Sequence, residues 1–298
     1  MRNITFPILF TATFLLLNAC STAKHPATKN ATPQKENIAK SNILLSNGQK
    51  VTVTTTGSSD SDMGMGMQMK NTTSAVNLFK VIATDDSSYV ITNTLTKMKM
   101  SMNMMGQETN YDSEKPGDKD SEIGKGISTK LNQADTLSVN KMSASVVKRE
   151  RNTSPERAEE NPLMGMMAAM GVSSAKDPSM EAAFFIIPKD KKMGESWSDS
   201  STEKSIKTVK IYTLKSIVNN IATIIVNSTL TGTGETEMQG TAVAFTMNTK
   251  NTGEIIVDTK SSLVSKIVND ANVSMTMDVM GQSMPVTSKT SSTIVYQY

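Results

Sequence analysis

The chain has 298 residues, with 31 basic and 28 acidic side chains, one cysteine and one histidine. A formal charge of +3, with no Lys/Arg stripe interleaved with aromatics, excludes a nucleic-acid footprint. Cys20 has no partner for a disulfide, and His25 precedes every predicted strand; Ser-His-Asp, Cys-His and His-zinc chemistry are therefore excluded from the folded part.

Arg2 supplies a positive start, Ile4 to Leu17 is apolar apart from threonines and a proline, and Leu17-Asn18-Ala19-Cys20 ends the run. The run is too short to cross a hydrocarbon core of ~30 Å as a helix, so residues 1–19 are expected to be a signal peptide. The small Ala19 before a thiol resembles the lipobox of bacterial lipoproteins, which implies a diacylglycerol on Cys20. Residues 20–41 are polar, carry Lys24, Lys29, Lys35 and Lys40, and read as a tether. Ser21 gives no acidic retention signal, so the expected place is the outer membrane, facing the periplasm.

From residue 42 the sequence reads as antiparallel β structure. Strands are predicted over Lys50–Thr55, Met67–Thr84, Tyr89–Met105, Lys207–Ser216, Ile221–Thr231, Gly253–Thr259, Leu263–Val279 and Val286–Tyr298. Asp85-Asp86-Ser87-Ser88 and Asn219-Asn220 supply turns. Residues 151–192 are richer in Ala, Glu and Met. Asp177-Pro178 before Met180-Glu181-Ala182-Ala183-Phe184-Phe185 predicts a helix start, with a second short helix over Leu163–Met170. The expected fold is mainly β: one or more long curved antiparallel sheets or a half-barrel, built from two similar modules (42–150 and 193–298) with a helical connector between, the whole forming one folded unit.

The modules are related by Met100-Ser101-Met102-Asn103-Met104-Met105-Gly106-Gln107 and Met275-Thr276-Met277-Asp278-Val279-Met280-Gly281-Gln282, which share five identities. Both copies end a predicted long strand. Met69 and Met247 precede them by about thirty residues in strand-like runs, which suggests duplication of a β unit.

The 23 methionines cluster at spacings of two: Met63, Met65, Met67, Met69; Met98, Met100, Met102, Met104; Met275, Met277. On a strand, alternate side chains share a face, so each cluster predicts an inward apolar stripe. Such a stripe is plain core in one reading. In a second it is a plastic surface for a hydrophobic ligand, with Met98, Met100, Met102, Met104, Met275 and Met277 as lining. In a third, thioethers including Met65, Met67 and Met69 hold Cu(I).

Other groups are less specific. Glu108, Asp112, Glu114, Glu195 and Asp199 form no recognisable catalytic pair, and Gly64-Met65-Gly66 reads as a bend. Asp135-Thr136-Leu137 resembles a periplasmic O-glycosylation acceptor at a predicted hairpin turn, which would place a glycan on Thr136. No cofactor and no enzymatic activity are expected.

The order of these segments resembles an uncharacterised domain-of-unknown-function family of lipoprotein-like proteins from Bacteroidota. The likeness is carried by Tyr111-Asp112-Ser113-Glu114-Lys115-Pro116 after the methionine strand, Met193-Gly194-Glu195-Ser196-Trp197, Tyr212-Thr213-Leu214-Lys215-Ser216-Ile217 and Gly253-Glu254-Ile255-Ile256-Val257-Asp258. It covers most of residues 43–298 and implies an all-β secreted architecture without a reaction. More loosely, the architecture is similar to half-barrel lipoprotein carriers of the envelope. The expected role is a membrane-anchored binding or structural module, whose partners are the membrane through Cys20 and a hydrophobic ligand or envelope protein.

Overall fold

The computed structural model describes residues 43–62, 64, 66–150, 182–203, 205–238, 241–279 and 282–298. Cys20, the tether, Met63, Met65, the helix expected over Leu163–Met170 and Asp177-Pro178 lie outside these residues.

Twelve strands form one antiparallel sheet that does not close into a barrel. They are β1 (Lys50–Asp62), β2 (Gln68–Thr84), β3 (Ser88–Met104), β4 (Gln107–Asp112), β5 (Ala134–Asn140), β6 (Val146–Glu150), β7 (Ser196–Glu203), β8 (Ile206–Val218), β9 (Ile221–Met238), β10 (Thr241–Asp258), β11 (Val264–Val279) and β12 (Gln282–Gln297). A 3-10 turn (Pro116–Asp120) and one helix, α1 (Glu122–Ser128), follow β4. The sheet order is β6-β5-β3-β2-β1-β12-β11-β10-β9-β8-β7, with β4 beside the far part of β3. The first and last long strands, β1 and β12, pair over Thr52–Asp62, which fuses the two expected modules into one sheet.

Loop chemistry sets the register. At the β8–β9 hairpin Val218 pairs with Ile221, and Asn219 and Asn220 both take positive φ, the geometry a two-residue turn needs. At β3–β4 Met105 and Gly106 do the same, at φ 53° and 81°. The repeated octapeptide is register-equivalent on this side: Met104 pairs with Gln107, and Val279 with Gln282. On the preceding strand the match fails, because Met275 faces Met247 whereas its counterpart Met100 faces Thr73.

The strands alternate buried and exposed residues, so one face is the interior. In β3 the inward set changes parity, from Ile91 and Asn93 to Met98 and Met100, across a bulge beside Thr96 where the β2 register shifts between Val76 and Asn77. At the end of the sheet where the chain enters at Ile43, here the proximal end, Val53, Phe79, Ile91 and Leu137 from one arm pack with Leu214, Ile224, Val257 and Tyr296 from the other.

The segment after the described gap corrects an expectation. Phe184 makes an antiparallel bridge to Leu263 and Phe185 N–H donates to Ser262 O, so Ala182 and Ala183 form a turn and the chain from Phe184 is bridged to the sheet and not helical. The reason is burial: Ala183 and Phe184 belong to the proximal core, and the Phe185 ring packs at a tilt against Trp197 and Tyr212.

Candidate functional site

The opposite, distal end is where the methionines gather. Met69 of β2 faces Met104 of β3, and Met277 of β11 faces Met284 of β12 and Phe245 of β10. Met69, Val243, Met277 and Val286 form a buried cluster against which Met67, Met102, Met104, Phe245 and Met275 pack. Four strands of the sheet separate β3 from β10, so this contact exists because the sheet curls and brings its two arms face to face. Met275, paired with Met247, also packs against the small cluster that Met247 forms with Leu230.

Not all predicted residues join. Met98 and Met100 pack with Tyr111, Ile123 and Ile127, under α1. That helix fills the corner between β4 and β5, and Ser121 caps it by accepting the Gly124 N–H at 2.9 Å. Met102, Met104, Met275 and Met277 thus share one cluster with Met67 and Met69, while Met98 and Met100 are fixed core. Thioethers are the only soft donors in that cluster; among the described residues no group of three His, Cys, Asp or Glu side chains is placed to hold a metal.

Between the apolar ends runs a polar belt that the sequence reading missed. One row of directly paired inward residues crosses eight strands: Asn71, Ser59, Thr290, Ala271, Asn251, Ser228, Lys210 and Asp199. Asn71, Thr290, Asn251, Ser228 and Lys210 are all buried. In the belt Asn251 Nδ2 donates to Ser228 Oγ at 2.9 Å and the Ser61 and Ser288 hydroxyls lie 2.7 Å apart. Among the described residues, Thr249 Oγ1 and Asn251 Oδ1 have no hydrogen-bond partner. Strict alternation of polar with β-branched residues hides such a belt, because Thr, Ser and Asn occur on both faces.

The Tyr-Asp-Ser segment is fastened to the methionine strand. Tyr111 is fully buried, Ser113 Oγ accepts the Met98 N–H at 2.9 Å, and Ser113 N–H donates to Met98 O at 2.8 Å. On the outer face Asp112 and Glu114 lie 3.1 and 3.2 Å from Lys99, and Glu114 lies 2.6 Å from Lys97. The Glu114 N–H, followed by Lys99, holds the Asp112 carboxyl below the usual carboxylate range, and Lys97 does the same for Glu114. The Gly-x-Ser-Trp segment opens β7, where the Trp197 ring stacks on Tyr212 at 5.5 Å.

Thr136 requires a correction. It lies inside β5, paired to Thr92 on one side and Glu150 on the other, and not at a hairpin turn. The apolar alternation that places Leu137 and Val139 in the core draws it into the sheet. A cavity of about 10 Å³, room for one water, lies at the proximal end between Val51, Phe79, Ile91 and Phe184.

Fold and site together define an open, strongly curved antiparallel sheet protein with a methionine-rich distal interior. Its shape is similar to a chain of lipovitellin, from a structure of lipid–protein interactions in that protein, at TM-score 0.52 and 6% identity over 85% of this chain and 25% of the other. The present chain therefore spans about a quarter of that relative's length. It is also similar to an outer membrane channel from Pseudomonas putida F1, at TM-score 0.25 and 6% identity, covering 90% of this chain and all of that one. No curated protein matches in sequence. The model of DUF6263, a family of unknown function, matches residues 86–264, and the chain belongs to that family. Among the described residues no helix is long and apolar enough to cross a membrane.

Proposed function

We propose that this chain is a non-enzymatic lipoprotein of the cell envelope, anchored through lipid on Cys20 to the outer membrane and facing the periplasm, whose distal methionine face holds an acyl-chain ligand. The observation that carries the ligand reading is the meeting of Met67, Met69, Met102, Met104, Met275 and Met277 between the two arms of one curved sheet. Thioether side chains are unbranched and polarizable, so they rearrange around a chain of variable length more readily than Leu or Val. Met102, Met104 and Met275 are only half-buried, so the cluster is not fully enclosed. The likeness in sheet shape to a lipovitellin chain known for lipid–protein contacts supports the same reading.

The experiment is native mass spectrometry of the chain after gentle detergent extraction. The expected result is a non-covalent lipid in addition to a thioether-linked lipid on Cys20, with the non-covalent species reduced about tenfold or more by Met102→Glu with Met277→Glu, because a carboxylate there is desolvated by bound hydrocarbon. A chain that carries no non-covalent lipid overturns the ligand reading. A chain without mass added at Cys20 overturns the anchor.

A further inference from the structure

The exposed apolar side chains are not scattered. Most of the large ones in the described residues sit at the proximal end, on the loops and strand tips that surround the point where the chain enters the fold. Val218, Ile217 and Ile221 crown the β8–β9 hairpin, Met193 lies just ahead of β7, Met142 is in the β5–β6 turn and Leu44 is one residue beyond Ile43. Val218, Met193 and Leu44 are 64%, 65% and 63% exposed. Isolated exposed aliphatics are ordinary, but their collection on tips at one end of a sheet is the mark of an interaction surface.

We propose that this proximal rim is a membrane-docking surface: its apolar tips insert among the head groups of the bilayer that holds Cys20. The occupant follows from where the chain goes. Residues 21–42 lead from Cys20 to Ile43, and Ile43 lies in the core of this same end, so an anchor on Cys20 holds this end, and not the distal one, nearest the lipid. Lysines accompany the tips: Lys189 and Lys192 are exposed ahead of Met193, and Lys260 is exposed in the β10–β11 turn beside the β8–β9 hairpin, where Thr259 N–H donates to Asn220 O at 2.8 Å. Of the nearby carboxylates, Asp85 and Asp258 accept backbone N–H groups of their own turns, Asp258 also facing Lys260; Asp190 pairs with Lys191, Glu195 accepts the Lys192 N–H, and Asp86 is exposed in the β2–β3 turn. Apolar tips flanked by exposed ammonium groups suit a surface of anionic phospholipid.

The direction of docking rests on the anchor reading, so the test supplies its own anchor. The chain from Cys20 onward is coupled through that cysteine to maleimide-bearing lipid in phosphatidylethanolamine–phosphatidylglycerol vesicles, and backbone hydrogen exchange is compared with the uncoupled chain. The expected result is severalfold slower exchange at residues 217–221 and 189–195, with no change at the β3–β4 turn around Met105 at the distal end. Ile217→Ser with Val218→Ser and Ile221→Ser should remove the protection at their hairpin, and Leu44→Ser with Met193→Ser, on separate segments, should weaken it at residues 189–195. Equal exchange with and without the vesicle, or protection at both ends alike, overturns the proposal. Because maleimide coupling replaces the natural lipid, absence of lipid on native Cys20 would sink the anchor and leave this result to stand or fall by itself.

Discussion

Phe245 lies across Gly234, its cross-strand partner in β9: a Cβ on Gly234 would come within 2.6 Å of the ring Cζ. The glycine leaves room for the ring to lie over the neighbouring strand, and Phe245 in turn packs against both distal clusters, the one that holds Met277, its partner on β11, and the one that holds Leu230 and Met247. Gly234→Ala is expected to destabilise the chain by about 1–3 kcal/mol through displacement of the ring. Adding Phe245→Leu should recover part of that loss, because the clash partner is then smaller; equal and additive losses in a denaturant double-mutant cycle would contradict the relationship.

The two halves of the β3 methionine stripe should differ in energy. Met98 is fully buried beneath α1, so Met98→Ala is expected to cost about 2–5 kcal/mol. Met104 is half-buried at the surface of the distal cluster, and Met104→Ala should cost about 1 kcal/mol. Chemical denaturation of both variants checks the order, and equal losses would mean that the stripe is one uniform core.

Two buried hydroxyls should be dispensable for folding. Thr249 is wholly enclosed and its Oγ1 has no hydrogen-bond partner among the described residues; the Tyr111 hydroxyl is in the same position. Their desolvation is not offset, so Thr249→Val and Tyr111→Phe are each expected to leave stability unchanged or raise it by about 1 kcal/mol. Burial, with the Asp118 and Asp112 charges adding to it, pushes the Tyr111 phenol above its ordinary value, consistent with an enclosed neutral hydroxyl. A loss above about 1 kcal/mol in either variant would reveal an unsuspected partner.

Stability should fall in acid. Asp85 accepts the Ser88 hydroxyl at 2.6 Å and the Ser87 and Ser88 N–H groups at 2.8 and 2.7 Å, and these bonds hold its carboxyl well below the ordinary value of 3.8. Asp112, Glu114 and Asp258 are lowered in the same way. A carboxyl depressed in the folded state adds stability that is complete above its unfolded value and lost as pH falls through its folded value. The thermal midpoint should therefore hold from neutral pH down to the ordinary Glu value of 4.5, then decline. Asp85→Asn should make the decline shallower; an unchanged slope would show that the β2–β3 turn does not need the charge.

Long central strands were legible where Val, Ile and Thr alternate and asparagine pairs mark their turns, as at Asn219-Asn220; the distal parts of β1, β9 and β10, beyond Thr55 and Thr231 and before Gly253, were missed because Ser, Asn, Gly and Thr there carry little apolar period. Short edge strands were missed too. Ser196–Glu203 and Gln107–Asp112 hold almost no apolar period, since strands of this kind are held by hydrogen bonds to one neighbour and bury few side chains. Helix α1 was hidden for a different reason: two glycines in seven residues obscure the Ile123–Ile127 spacing, and only Ser121 marks its start. The inward turn of the methionine stripes follows from period two alone. Their division between α1 and the distal cluster does not, because it depends on the bulge beside Thr96 and on the curl of the whole sheet.

Strands β10, β11 and β12 run unbroken from one end of the molecule to the other. Sixteen residues at about 3.3 Å each carry the chain roughly 50 Å. A protein held at its proximal rim would therefore lift Met277 and its neighbours that far from the anchoring leaflet, so the sheet would serve as a mast. What it presents at the top would meet the aqueous compartment and whatever lies across it, out of reach of the lipids at its foot.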